Sequence, residues 1–178
     1  MKRFLTFTLF ISIVLAFSSC KKIKEAAYVD INTTLTAEIP VAVDTTTTEK
    51  SALVSYSFTE SHTESLEENN KVKDYLDLLK RIEVNEVNIE ISGLVGDQLI
   101  ESIAFEVENV GTIATLENVS PSNSDFTPDI NPSVLVQIAN ELYYTKQLSV
   151  TVSGTTNKVP MNFVVATYFD LHIEASPL

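Results

Sequence analysis

The feature that most constrains the fold of this chain is a two-residue alternation of apolar and polar side chains. It is clearest from Met161 to Ala175, where the predicted inward positions are Phe163, Val165, Thr167, Phe169, Leu171 and Ile173. Successive side chains of a strand point to opposite faces, so the pattern predicts a strand with one face on a core. Further segments have strand character: residues 28–43, 51–60, 82–91, 99–108, 112–119 and 147–154.

Strands with one polar face favour antiparallel sheets packed face to face over a buried parallel sheet. We therefore predict a mainly β protein, an antiparallel β-sandwich of about seven strands, with a half-open barrel as the alternative. The last two strands are predicted to form a hairpin through Thr155–Lys158. Pro40 indicates an edge strand or a bulge, because proline donates no hydrogen bond to a ladder. Polar residues 61–70 and 120–132 are predicted to be loops.

Two short helices are predicted between the strands. The first follows Asn69-Asn70, and its apolar stripe at i, i+3, i+4 and i+7 consists of Val72, Tyr75, Leu76 and Leu79. The second runs from Pro132 to about Tyr143, because proline suits the first turn of a helix and Asn131 can cap it.

The first 19 residues have the parts of a secretory signal. A positively charged end precedes an apolar run from Phe4 to Phe17, which is shorter than the about 20 residues of a membrane-spanning helix. Two serines then lead to Cys20, the only cysteine of the chain. A lone thiol forms no intramolecular disulfide and is a liability in an oxidising compartment unless it is chemically used.

The sequence Ala16-Phe17-Ser18-Ser19-Cys20 resembles the lipobox of bacterial lipoproteins and departs from it at Phe17, where leucine is common. The resemblance implies cleavage before Cys20, attachment of diacylglycerol to its thiol, and a location in the bacterial cell envelope, where we expect the outer membrane. The alternative is ordinary signal-peptide cleavage near Ala26-Ala27. We therefore divide the chain into a signal peptide (residues 1–19), a lipidated tether (residues 20–27) and a β-sandwich domain (residues 28–178).

The charge of the chain is strongly negative and unevenly distributed. The net charge of −12 becomes −14 once Lys2 and Arg3 are removed with the signal peptide. Lys21, Lys22 and Lys24 lie directly behind Cys20, where each would gain about 1 kcal/mol close to anionic head groups; a solvated tether is the alternative. An acidic domain argues against nucleic acid as a partner, because phosphate binding needs a basic surface.

Few residues of the chain have the pattern of a chemical site. The chain has two histidines and contains neither a G-x-S-x-G nucleophile motif nor a Walker-type phosphate loop, so we predict no catalytic residue and no cofactor. His172 lies on the predicted outward face of the last strand, with Asp170 and Glu174 on either side. These three side chains can in principle ligate a metal ion. A solvated polar strand face is the simpler interpretation, and we predict no metal site.

Three other polar features have simpler explanations than a site. Asp125, Asp129 and Asn131 have the oxygen atoms that calcium prefers, but turn formation and helix capping explain them without an ion. His62 lies in an acidic segment with no pattern that supports a role. Tyr168, in the outward phase of the last strand, is the best candidate for an exposed aromatic contact.

The end of the chain also resembles two protein families. The segments Leu148–Gly154 and Pro160–Phe163 resemble those of small uncharacterised lipoproteins of Bacteroidota, and more faintly the sandwich of late-embryogenesis-abundant type 2 proteins. Neither resemblance implies a catalytic site. The leading hypothesis is a non-enzymatic, membrane-anchored domain that binds an envelope protein or scaffolds an envelope assembly, with the lipid bilayer as a partner through Cys20. The alternative is a small-ligand or metal-ion-binding lipoprotein, and an enzyme ranks third.

Overall fold

The computed structural model describes residues 28–44 and 55–177. The predicted signal peptide (residues 1–19) and the predicted lipidated tether with Cys20 (residues 20–27) lie outside the described residues. Leu53 and Val54, one of which the alternation predicts as a core residue of the second strand, lie outside them too. In chain order the elements are β1 (Val29–Val43), β2 (Tyr56–Ser65), β3 (Leu79–Ser92), β4 (Ile100–Val107), β5 (Gly111–Val119), β6 (Asp125–Phe126), α1 (Pro132–Thr145), β7 (Gln147–Thr156) and β8 (Met161–Ala175).

These strands form two four-stranded antiparallel sheets that pack face to face, so the predicted β-sandwich is confirmed. Sheet 1 has the order β1-β8-β3-β6, and sheet 2 has the order β2-β7-β4-β5. The first strand pairs with the last, the second with the seventh, the third with the sixth, and the fourth with the fifth. This nested pairing of eight antiparallel strands in two sheets is the connectivity of a jelly roll. The strand beyond the expected seven is the two-residue β6.

The longest ladder joins the two ends of the domain. β1 and β8 pair in continuous register from Val29 opposite Ala175 to Val43 opposite Met161. The odd-numbered residues of β1 from Ile31 onward are buried, as their alternation predicted. β1 lies at the edge of sheet 1, which agrees with the edge position that Pro40 indicated.

The predicted hairpin between the last two strands is wrong. β7 lies in sheet 2 between β2 and β4, whereas β8 lies in sheet 1 between β1 and β3. The segment after Thr156 therefore crosses from one sheet to the other. Side-chain alternation shows which face of a strand is buried but does not show which sheet the strand joins, and sequence neighbours pair often enough to favour a hairpin.

Of the two predicted helices, the second is an α-helix in the structure and the first is a short 3-10 helix. The second is α1, where Oδ1 of Asn131 accepts a hydrogen bond of 2.9 Å from the backbone nitrogen of Ser133 and Pro132 lies in the first turn. The first is a six-residue 3-10 helix, Lys73–Leu78, because Leu79 already belongs to β3, where it pairs with Ala175. The apolar stripe still packs on the core, although too few residues remain for an α-helix.

The predicted loop at residues 61–70 is also partly wrong. β2 continues to Ser65, and the 3-10 helix Leu66–Glu68 follows it. Ser61 and Thr63 form hydroxyl pairs with Thr151 and Ser149 of β7, at 2.8 Å and 2.7 Å. Hydroxyl pairs across strands support an extended backbone that polarity alone does not indicate.

The core lies between the two sheets and leaves both outer faces polar. Its largest fully buried side chains include Phe105, Phe169, Ile39, Ile89 and Ile103. α1 covers part of β3 through the buried residues Ile138 and Leu142. Within residues 28–44 and 55–177, no helix is long and apolar enough to span a membrane.

Candidate cation-binding site

Carboxylates from four strands lie on the outer face of sheet 1. They are Asp30 and Glu38 on β1, Glu83, Glu86 and Glu90 on β3, Asp125 on β6, and Asp170 and Glu174 on β8. We call this surface the acidic face. The strand registers set these residues in rows across the sheet, so that Glu86 lies opposite Asp170 and Glu90 opposite Asp125. Because these carboxylates are gathered on one face, the potential of the face is strongly negative. Carboxylates in opposite positions also repel each other.

Tyr168 is affected by this potential. Its hydroxyl donates a hydrogen bond of 3.0 Å to a carboxylate oxygen of Glu90. That hydrogen bond, followed by partial desolvation and the negative charges of Glu90, Glu38 and Asp125, raises the pKa of Tyr168 above its usual value of 10.0. The side chain points outward, as the alternation predicted, but it is half-buried and engaged with its neighbour.

One end of the acidic face brings Asp30, His172 and Glu174 together. One ligand atom from each of these side chains lies within 4.8 Å of the other two. Nε2 of His172 is 3.7 Å from Oδ1 of Asp30. The sequence singled out Asp170 with His172 and Glu174, and the structure replaces Asp170 with Asp30 from the neighbouring strand. A residue on another strand can be identified only from the register, in which Asp30 is opposite Glu174.

The imidazole of His172 is oriented by a neighbour outside this group. Nδ1 of His172 lies 3.0 Å from Oδ1 of Asn32, the residue opposite it on β1. An amide oxygen only accepts hydrogen bonds, so this contact is a hydrogen bond in the tautomer that carries its proton on Nδ1. The lone pair of the neutral ring is then on Nε2, the nitrogen on the side of Asp30.

Two cationic side chains close to this group, Arg81 and Lys71, are engaged with other acceptors. Arg81 is opposite Glu174 on β3, but its guanidinium pairs with the carboxylate of Glu83. Nζ of Lys71 donates to the backbone oxygen of Asn32 at 3.1 Å. Among the described residues, neither Asp30 nor Glu174 forms an ion pair with a lysine or arginine.

The other residues considered from the sequence do not come together in this way. His62 forms a pair with Glu64, with 3.2 Å between Nε2 and a carboxylate oxygen. Asn131 uses its side-chain oxygen to cap α1, and Asp125 belongs to β6. Capping and strand formation therefore explain two of the three residues whose oxygen atoms suit calcium.

Sequence reasoning missed a second polar surface, on the outer face of sheet 2. Serine and threonine alternate with other residues along β2 and β7, at Ser57, Thr59, Ser61, Thr63, Ser149, Thr151, Ser153 and Thr155. We call this surface the hydroxyl face. A groove of about 490 Å³ crosses it, and its walls include Glu106 and Glu108. The signal was the alternation of serine and threonine in both strands.

Comparisons with known proteins concern only the fold. No protein-family model and no curated protein matches the sequence. The chain is similar to a decameric BFDV capsid protein, with 12% identity, 82% of this chain and 99% of that chain covered, and a TM-score of 0.42. It is also similar to Desmodium yellow mottle tymovirus, with 10% identity, 84% of this chain and 90% of that chain covered, and a TM-score of 0.37. A third similar structure is TmCBM61 in complex with beta-1,4-galactotriose, with 14% identity, 85% of this chain and 90% of that chain covered, and a TM-score of 0.29. The class of protein that the structure defines is an eight-stranded antiparallel β-sandwich.

Proposed function

We propose that this protein is a lipid-anchored component of a bacterial envelope whose β-sandwich binds a protein partner without catalysing a reaction. The observation that carries the proposal is the acidic face, which concentrates carboxylates from all four strands of sheet 1. A surface of one sign attracts and orients a partner of the opposite sign, and it does so more strongly at low ionic strength. The expected partner is an envelope protein with a basic surface.

The attachment point supports an orientation relative to the membrane. If Cys20 carries the lipid, the eight Cα–Cα steps from Cys20 to Tyr28 span at most about 28 Å when fully extended. The chain then enters β1 at Val29, which pairs with Ala175 at one end of sheet 1. That end of the domain is the one held nearest the bilayer. From this end, the carboxylates of the acidic face follow one another along β1, β8 and β3.

The location in the outer membrane is part of the same proposal. The lipobox-like sequence before Cys20 supports a lipid-anchored position in the envelope, and the outer membrane is our expectation within it. The acidic domain argues against nucleic acid as the partner. A domain held close to an anionic membrane and itself strongly negative is repelled from the head groups. The acidic face therefore stays available to a partner in the aqueous space beside the bilayer.

Site-specific photo-crosslinking in the native envelope tests the proposed binding face. A photoreactive residue at Glu38, on the acidic face, should give a discrete crosslinked product whose yield falls as the salt concentration rises. The matched control is the same residue at Thr115, which is exposed on the outer side of sheet 2. Equal products from both positions, or a yield at Glu38 that is independent of salt, would show that the acidic face is not the binding surface.

A further inference from the structure

We propose that Asp30, His172 and Glu174 form a binding site for a divalent transition-metal ion of the Zn²⁺ type. The proposal develops the ion-binding alternative with a ligand set that the sequence did not identify. It does not depend on the lipid anchor or on a protein partner, because all three ligands belong to strands β1 and β8 of the folded domain.

The spacing of the ligand atoms fits a single ion. Metal–ligand distances of about 2.1 Å in a tetrahedral site place neighbouring ligand atoms about 3.4 Å apart. Nε2 of His172 and Oδ1 of Asp30 are already 3.7 Å apart, and all three ligand atoms lie within 4.8 Å of one another. Asp30 is the most exposed member, with 65% of its side chain accessible, so a rotation of this side chain can close the remaining gap.

The strand register places two carboxylates opposite each other, and this arrangement favours the binding of a cation. Asp30 and Glu174 are directly opposite in the ladder between β1 and β8, where like charges destabilise a sheet. The nearest arginine, Arg81, is paired with Glu83. A bound dication would offset the repulsion between the two carboxylates, and the ladder would hold all three ligands on a rigid backbone.

The contact between His172 and Asn32 is a second, independent observation. A histidine that ligates a metal usually donates its other ring N–H to an oxygen, which fixes the tautomer and the orientation of the ring. Nδ1 of His172 has such a partner in Oδ1 of Asn32 at 3.0 Å, and Asn32 is not itself one of the ligands. Nε2 is thereby left for the ion, on the side where Asp30 lies.

The ligand types define the class of ion. Imidazole favours Zn²⁺, Cu²⁺, Ni²⁺ and Fe²⁺, whereas Mg²⁺ and Ca²⁺ prefer sites made entirely of oxygen atoms. Three protein ligands leave at least one coordination position for water or for a group from a partner. The site is thus an open one, close to the end of sheet 1 where Val29 pairs with Ala175.

Titration calorimetry on the mature full-length protein tests the proposal. The protein is purified in detergent through a tag without histidine, and ZnCl₂ is the probe. We expect one equivalent of Zn²⁺ to bind, and each of the substitutions His172→Gln, Asp30→Asn and Glu174→Gln to weaken binding at least about tenfold, since loss of even an outer-shell partner costs about 10–100-fold. Visible absorption of bound Co²⁺ should report the same dependence on His172.

Two variants serve as matched controls. Asp170→Asn removes one charge from the same face and strand but no proposed ligand, and His62→Gln removes the other histidine; both should bind Zn²⁺ as the wild type does. Circular dichroism confirms that each variant is folded. The proposal is overturned if no saturable one-to-one binding occurs, if Asp170→Asn weakens binding as much as Asp30→Asn, or if Ca²⁺ binds as tightly as Zn²⁺. None of these outcomes bears on the crosslinking result for the acidic face.

Discussion

At the scale of single residues, Tyr168 reports the electrostatics of the acidic face. Its hydroxyl donates to Glu90, so ionisation of the phenol would place two negative charges in contact. The raised pKa of Tyr168 means that the neutral phenol is favoured in the folded state. Its contribution to stability is fully present below pH 10, the value for the unfolded chain, and is lost as the pH rises through the higher value of the folded state.

Substitution of Glu90 should therefore lower the pKa of Tyr168. In Glu90→Gln the hydrogen bond to a charged acceptor and the nearest negative charge are both lost, and Tyr168 should titrate closer to pH 10. NMR of tyrosine labelled at the ζ carbon measures this, with Tyr168→Phe to assign the signal. Glu117→Gln, an exposed carboxylate on β5 in sheet 2, is the control and should leave the titration unchanged. An unaltered pKa in Glu90→Gln would contradict the assigned cause.

Of the three proposed metal ligands, two could be identified from the sequence pattern and one could not. His172 and Glu174 could be found from the sequence because they share one face of one strand, two residues apart. Asp30 could not, because 142 positions separate it from His172 and only the β1–β8 register makes them neighbours. Asp170 matched the pattern equally well but does not belong to the group of ligand atoms.

At the scale of elements, Gly154 lies where the neighbouring strands of sheet 2 leave no room for a side chain. It lies in β7, opposite Phe58 on one side and Ile103 on the other. A Cβ atom at this position would clash with the backbone oxygen of Ser102 and would come within 2.8 Å of the ring of Phe58 and 3.0 Å of Cα of Ile103. Two of these three contacts are with backbone atoms of β4, which cannot move without disturbing the ladder.

Gly154→Ala should destabilise the domain by about 1–3 kcal/mol, the usual cost of forcing extra atoms into a packed region. Urea unfolding followed by circular dichroism measures the change in the free energy of unfolding. Ser153→Ala, on the adjacent outward position of β7, is the control and should change stability by no more than about 0.5 kcal/mol. A Gly154→Ala protein as stable as the wild type would contradict the close packing of β4 against β7 at this position.

Local sequence patterns predict the long alternating strands well and predict the short helix and the polar end of β2 poorly. β1 and β8 were predicted to within a residue or two because their alternation continues over 15 residues in each strand. The segment Val72–Leu79 has a helical stripe, but β3 begins at Leu79 and limits it to a 3-10 helix. The polarity of residues 61–65 predicts a loop, whereas in the structure β2 continues through them, because hydroxyl pairs with β7 support the strand and only the tertiary structure creates them.

At the scale of the whole molecule, the nested order of strands brings distant parts of the chain together. The sandwich itself could be predicted, because alternating strands with one polar face must pack in two layers. The pairing could not, because β7 and β8 are adjacent in sequence and belong to different sheets. The same nesting places the first strand, where the tether ends, beside the last strand. The proposed metal site thus lies between the two termini of the domain.

The lipid anchor is the prediction that concerns the whole molecule, since it decides where the domain is held. In Cys20→Ala the thiol that would accept diacylglycerol is gone, so the chain should accumulate as an unprocessed precursor without lipid. Metabolic labelling with radioactive palmitate, followed by fractionation of the envelope, measures both effects. Lys24→Ala, four residues beyond Cys20, is the control and should be labelled and retained in the membrane. Cys20→Ala protein that still takes up label would place the lipid elsewhere. The short tether would then no longer hold the end of the sheet that contains Val29 and Ala175 close to the bilayer.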